Sequence, residues 1–152
     1  YRTSCPPRTP RLMKYGLDSS VAFKWFVPET DSDKALRLCD DFLAGVYELM
    51  SPDVFPYEIA HALTRAERQG RIPSQQSLQL VGESLTLLPT LHPGLPLLPR
   101  AAELSSQARI GVYDCLYIAL VEREPCKLVT ADQRLVNLLP AQTILLSSLV
   151  LP

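Results

Sequence analysis

Short apolar segments alternate with amphipathic helical patterns along most of this chain, and this alternation limits the folds that it can adopt. Strands that are apolar on both faces are typical of a parallel sheet covered by helices on each side. The sequence therefore predicts an α/β fold, a three-layer α/β/α sandwich around a central, mostly parallel, twisted sheet. The expected strands cover residues 14–17, 48–51, 127–130 and 143–146, with a further short strand near Leu91.

The helices between these strands carry their own start signals. Ser19 or Ser20 is expected to cap the first helix, because a serine hydroxyl can accept a hydrogen bond from a free backbone N–H. Pro73 is expected to begin the fourth helix. The segment 112–122 is apolar on nearly every side, which predicts a buried helix.

The size and composition favour one globular domain. A chain of 152 residues with 47% hydrophobic and 20% charged residues can bury a substantial core. Residues 1–12 contain three prolines and three arginines, so they are interpreted as a leader or tag-like tail, with the domain at 13–152. The four cysteines form no C-x-x-C pair, which indicates reduced thiols in a cytoplasmic protein. No apolar run is long enough to span a membrane.

Four separated acids, Asp18, Glu58, Asp114 and Asp132, are the candidate functional residues. Each lies in apolar surroundings where an unpaired carboxylate is costly, and a hard divalent cation could bind several of them. Asp18 and Asp132 follow predicted strands, and ligands bind at that edge of a parallel sheet. Any one of the four could instead cap a helix; Asp132 before the helix 133–139 is an example.

Together, the motifs around these acids resemble the PIN-domain nucleases, and among them the VapC-type toxins of toxin–antitoxin pairs. The resemblance covers residues 13 to about 146 and is strongest in YDCLYIAL around Asp114 and TADQRL around Asp132. It implies a metal-dependent endoribonuclease that acts on RNA, forms a homodimer and is inhibited by a cognate antitoxin. Asp18, Glu58, Asp114 and Asp132 match the catalytic, metal-binding positions, with Ser20 and Thr130 in supporting ones.

One position departs from the pattern of these nucleases. Three residues after Glu58, where asparagine is common, this chain has His61, which is bulkier and can titrate near neutrality. His61 is interpreted as a supporting residue and not as a direct ligand. The carboxylate set favours Mg²⁺ or Mn²⁺, which prefer oxygen ligands.

Seven basic residues are candidates for contacts with RNA phosphates, although their helix faces could simply be solvated. They are Lys24, Arg65, Arg68, Arg71, Arg109, Lys127 and Arg134. Two other functions stay open at this point. One is a catalytically weak PIN-like domain for RNA binding or assembly. The other is a phosphoacceptor receiver domain that would use Asp53, although a receiver would need an acidic pair where Asp18 stands alone.

Overall fold

The computed structural model describes residues 12–152, so the expected leader lies outside the described residues except for Leu12. Five short strands form the sheet. They are β1 (Met13–Leu17), β2 (Tyr47–Pro52), β3 (Thr90–His92), β4 (Lys127–Thr130) and β5 (Thr143–Leu145). All five predicted strands are therefore present at or near their expected positions.

Within residues 12–152, seven α-helices surround the sheet. They are α1 (Ser19–Phe26), α2 (Ser32–Leu43), α3 (Phe55–Arg68), α4 (Gln76–Ser84), α5 (Leu98–Ala108), α6 (Val112–Arg123) and α7 (Gln133–Leu138). Short 3-10 turns precede α5 at Leu95–Leu97 and follow β5 at Leu146–Ser148. Within the described residues, no helix is long and apolar enough to cross a membrane.

The sheet has the order β3-β2-β1-β4-β5, and every neighbouring pair is parallel. This confirms the predicted α/β/α sandwich. Because β1 and β4 are central neighbours, the segments that follow them emerge side by side at the carboxyl edge of the sheet. The backbone N–H of Asp18 donates to the carbonyl of Val129 at 3.0 Å, which joins the two strand ends.

Helix α6 packs against β1, β2 and β4, and its residues Cys115 to Val121 are all buried. The apolar composition of this segment correctly predicted its burial. Helix α6 and strand β1 lie so close together that a Cβ on Gly16 of β1 would clash with the side chain of Val121 on α6. Glycine at this position therefore allows α6 to lie directly on β1.

Three local predictions were wrong. Neither Ser19 nor Ser20 caps α1, because the helix begins at Ser19 with Asp18 in the N-cap position, and the Ser20 hydroxyl donates to the Asp18 carboxylate. Helix α4 begins at Gln76 and not at Pro73, whose carbonyl accepts from the Gln76 N–H in a turn. Strand β5 ends at Leu145, since the chain then enters a 3-10 turn.

Candidate active site

The carboxyl edge of the sheet opens into a cleft of about 580 Å³. Asp18 reaches it from the end of β1, Asp132 from the turn after β4, and Asp114 from the first turn of α6. Glu58, in the first turn of α3, lines an adjoining cavity of about 510 Å³ that shares three lining residues with the cleft. The fold therefore brings the four predicted acids to one region, although 40 to 114 residues separate Asp18 from the others.

Two hydroxyls hold Asp18 in place. Its Oδ2 accepts hydrogen bonds from Ser20 Oγ and Thr130 Oγ1, each at 2.7 Å. Each hydroxyl also accepts a hydrogen bond from the backbone. The Ala131 N–H donates to Ser20 Oγ at 3.1 Å, and the Asp132 N–H donates to Thr130 Oγ1 at 3.1 Å. The predicted supporting residues Ser20 and Thr130 thus tie the end of β1 to the turn after β4.

Asp132 has a structural function as well as a place in the cleft. Its Oδ1 accepts from the backbone N–H of Arg134 at 2.9 Å and from that of Leu135 at 3.4 Å. The capping alternative is therefore confirmed for this residue. Because Asp132 also lines the cleft, the two interpretations do not exclude each other.

Burial, together with repulsion between carboxylates, raises the pKa values of three of the acids. Burial is the largest cause for Asp18, Glu58 and Asp114, and repulsion between neighbouring carboxylates adds to it. The pKa of Glu58 rises to about 7 and that of Asp114 to about 6. For Asp18, the hydroxyls of Thr130 and Ser20 oppose the rise in pKa. Burial and repulsion therefore make this cluster unfavourable when it is fully ionised.

Glu58 also has an unsatisfied oxygen. Its Oε1 is buried without a hydrogen-bond partner among the described residues, as is the hydroxyl of Tyr117 on α6. The Tyr117 hydroxyl is close enough to lower the pKa of Glu58, against the larger effect of burial, but the pair does not meet hydrogen-bond geometry. A buried oxygen that lacks a partner is costly, and a cation or its water shell could satisfy it.

The donor set fits a hydrated hard cation better than a closed metal cage. Among the described residues, no group of three or more His, Cys, Asp or Glu side chains converges closely enough to enclose an ion. Mg²⁺ commonly retains several waters and binds through only one or two carboxylates. The electrostatically coupled acids and the unpaired Glu58 oxygen fit that mode of binding.

His61 lies one turn after Glu58 on α3, and its exposed side chain lines both the cleft and the adjoining cavity. Its supporting role at the site stays a prediction from the sequence. His61 lies where the cleft and the cavity adjoin.

The basic candidates separate into two groups. Lys24, Arg65 and Arg71 line the cleft, and Arg134 is near enough to lower the pKa of Asp114. Lys127 opens β4 and so lies at the opposite edge of the sheet. Neither Arg68 nor Arg109 belongs to the cleft lining. Only part of the predicted basic set can therefore contact a ligand at the acids.

Sequence reasoning missed Glu29 and Tyr117. Glu29 lines the cleft and pairs with Lys24 at 3.1 Å and with Arg71 at 2.9 Å, while the Arg71 guanidinium lies 5.5 Å from the centre of the Phe23 ring. Nothing in the sequence indicates that a loop glutamate would join α1 to the segment after α3. Tyr117 could have been found, because it follows Asp114 by three residues on the same helical face.

Comparison with known proteins agrees with this geometry. Residues 15–138 match the model of the PIN domain. Ribonuclease VapC3 of Pyrobaculum aerophilum is 30% identical over 131 residues, which is 85% of this chain and 97% of the relative.

Two solved structures share the fold. The crystal structure of PAE2754 from Pyrobaculum aerophilum has a TM-score of 0.66 at 19% identity, covering 90% of this chain and 93% of the other. VapBC2 from Rickettsia felis, bound to a DNA fragment from its promoter, has a TM-score of 0.62 at 16% identity and covers 88% of this chain and 97% of the other. The fold, the domain match and the VapC relative lead to one conclusion: this chain belongs to the PIN-domain family and is of the VapC type.

Proposed function

We propose that this protein is a metal-dependent endoribonuclease that acts as the toxin of a toxin–antitoxin pair. The observation that carries the proposal is the convergence of Asp18, Asp114 and Asp132 on one cleft, with Glu58 beside it. The ribonuclease name of the VapC relative supports the activity, and the family match supports the scaffold.

Asp18 and Asp114 are the proposed direct ligands of Mg²⁺ or Mn²⁺. Glu58 and Asp132 complete the site, and one oxygen of Asp132 is already used in capping α7. When bound, such an ion would supply a water molecule of lowered pKa and positive charge beside the scissile phosphate. Ser20 and Thr130 fix the carboxylate of Asp18, so that its position does not depend on the ion.

The cations that line the cleft are the proposed contacts for the RNA backbone. Arg65, Lys24 and Arg71 lie in the same cleft as the acids, although Glu29 already partly neutralises Lys24 and Arg71. Phosphate contacts of this kind position a strand without reading its sequence. They also provide local attraction in a chain whose net charge is −1.

The proposed partners follow from the same family. VapBC2 of Rickettsia felis is a complex bound to promoter DNA, which supports a cognate antitoxin for this chain. The antitoxin would insert a segment into the acidic cleft and compete with RNA. A homodimer and a cytoplasmic location complete the proposal.

Cleavage of single-stranded RNA, measured with Mn²⁺ or Mg²⁺ and again with EDTA, tests the proposal. Asp18→Asn should abolish metal-dependent cleavage and growth inhibition. Asp53→Asn is the matched control, since Asp53 also follows a strand of the sheet but accepts a bond from the Gly94 N–H and is not part of the cleft lining. Undiminished cleavage by Asp18→Asn would refute this site.

A catalytically weak RNA-binding or assembly domain is the second candidate. The absence of a converged ligand group among the described residues favours it. Wild-type protein that binds RNA but does not cleave it in either metal would support this alternative. The receiver hypothesis predicts phospho-donor labelling of Asp53, and we expect none.

A further inference from the structure

Aromatic and apolar side chains line the cavity that adjoins the acidic cleft, together with the polar residues Ser19, Glu58 and His61. Tyr57, in the first turn of α3, and Tyr113, in the first turn of α6, line it together with Val54 and Ala62. Its volume of about 510 Å³ lies in the range of small-molecule sites, roughly 300–1,000 Å³. This cavity has the size and the surface for a flat group with apolar faces and polar edges.

Both tyrosines are unusually exposed. Tyr57 is 77% exposed and Tyr113 is 60% exposed, and neither ring packs against another aromatic ring among the described residues. A large aromatic side chain that faces water loses the stabilisation that burial would provide. The two ring faces are therefore available to a ligand that enters the cavity.

The cavity is also continuous with the site of the proposed chemistry. Ser19, His61 and Ala62 line both spaces, and each exposed tyrosine directly precedes an acid, Glu58 or Asp114. A group that occupies the cavity would therefore be attached close to the acids. The two spaces differ in chemistry: Arg65, Lys24 and Arg71 line the cleft, whereas no lysine or arginine among the described residues lines the adjoining cavity.

From this arrangement we infer that Tyr57, Tyr113 and His61 form a nucleobase-binding subsite beside the cleavage site. The inference rests on the proposed ribonuclease function and deepens it. The sugar–phosphate backbone follows the basic wall, and the base of a nucleotide next to the scissile bond stacks in the aromatic cavity. Such stacking contributes about 1–3 kcal/mol per base by alanine substitution, which is about 5- to 150-fold in affinity.

This subsite would select unpaired RNA. A base inside a duplex is stacked and paired, so only a single-stranded or splayed nucleotide can enter the cavity. His61, at the boundary, can donate to or accept from a polar edge of the base. The departure of His61 from the common asparagine is then a feature of base recognition and not of metal binding.

The test uses full-length protein and a pool of single-stranded RNA with randomised sequence, cleaved in Mn²⁺ and sequenced at the cut ends. The wild type should prefer certain bases at one position next to the cut. Tyr57→Ala and Tyr113→Ala should weaken that preference and lower kcat/KM about tenfold, while Tyr57→Phe and Tyr113→Phe should stay within about twofold. Leu95→Ala is the control, because Leu95 is 81% exposed and lines neither cavity.

A substrate that is abasic at the preferred position provides a second measurement. Wild type and Tyr57→Ala should cleave it at equal rates, since the stacking partner is gone. Two results would overturn this inference and leave the proposed function standing. One is that both alanine variants keep the base preference of the wild type. The other is that they lose as much activity on the abasic substrate as on the intact one. The inference would also fail if the alanine variants became monomers and regained activity at high protein concentration. The tyrosines would then be contacts between subunits. A wild type that cleaves no RNA would overturn the proposed function and this inference with it.

Discussion

Replacing Glu58 with glutamine should stabilise the metal-free protein, and the gain should depend on pH. The pKa of Glu58 rises to about 7 because burial and the neighbouring acids Asp18 and Asp114 disfavour its ionised form. The folded state therefore keeps a proton that the unfolded chain releases at lower pH. Stability that is present at acidic pH is lost as the pH rises from about 4.5 through about 7.

The size of the effect follows from that rise in pKa, which corresponds to about 3 kcal/mol of unfavourable ionisation. Glu58 is only half-buried, so solvent screening reduces the figure to about 1–2 kcal/mol at alkaline pH. A glutamine side chain has no charge to desolvate, and its amide can pair with the unsatisfied hydroxyl of Tyr117. Glu58→Gln should therefore remove this loss without leaving a new unpaired group.

Urea unfolding in EDTA measures the change, at about pH 8.5 and about pH 4.5, on either side of the window over which Glu58 titrates. The variant should be about 1–2 kcal/mol more stable than wild type at the higher pH and nearly equal to it at the lower pH. Glu83→Gln is the matched control, since Glu83 lies exposed on α4, accepts from Gln79 at 3.1 Å, and should change little at either pH. No gain at alkaline pH, or the same gain at both pH values, would refute the reasoning.

Three further predictions concern the metal and the scaffold. Mn²⁺ should raise the Tm of the wild type by relieving repulsion between the acids, and a Tm that Mn²⁺ leaves unchanged would contradict this. Thr130→Val should lower the free energy of unfolding by about 1–3 kcal/mol and reduce cleavage, because it removes one hydroxyl from Asp18 and leaves the Asp132 N–H unpaired. Urea unfolding and a cleavage assay measure these two effects. Gly16→Ala should cost about 1–3 kcal/mol in urea unfolding through overpacking against Val121, and an unaffected variant would show that α6 can move away from β1.

Much of the fold could be predicted from the sequence because the strands are apolar on both faces. The apolar pattern placed β1 and β4, and the rule for parallel sheets then put Asp18 and Asp132 at one edge. By contrast, the hydrogen bond from Thr130 to Asp18 joins residues 112 positions apart and depends on β1 and β4 being neighbours. Strand order is a property of the whole chain, so local patterns could not specify this contact.

Local propensity failed where a tertiary contact competed with it. Ser20 has the chemistry of a helix cap, but it lies inside α1, where its hydroxyl donates to the Asp18 carboxylate and accepts from the Ala131 N–H. No local sequence pattern marks Glu29, because its ion pairs with Lys24 and Arg71 form only once the fold brings α1 close to the segment after α3. The polar network around the acids is therefore the least predictable part of the site, although its acids were the most readily found.

The most direct test of the central claim, that these acids bind a catalytic cation, is anomalous diffraction from a crystal soaked in Mn²⁺. We expect an anomalous peak within coordination distance of the carboxylates of Asp18 and Asp114, with water completing the coordination and Glu58 and Asp132 nearby. The same soak of Asp114→Asn should lose or strongly weaken the peak. A wild-type map with no peak between the acids, or with its only peak elsewhere, would contradict the account.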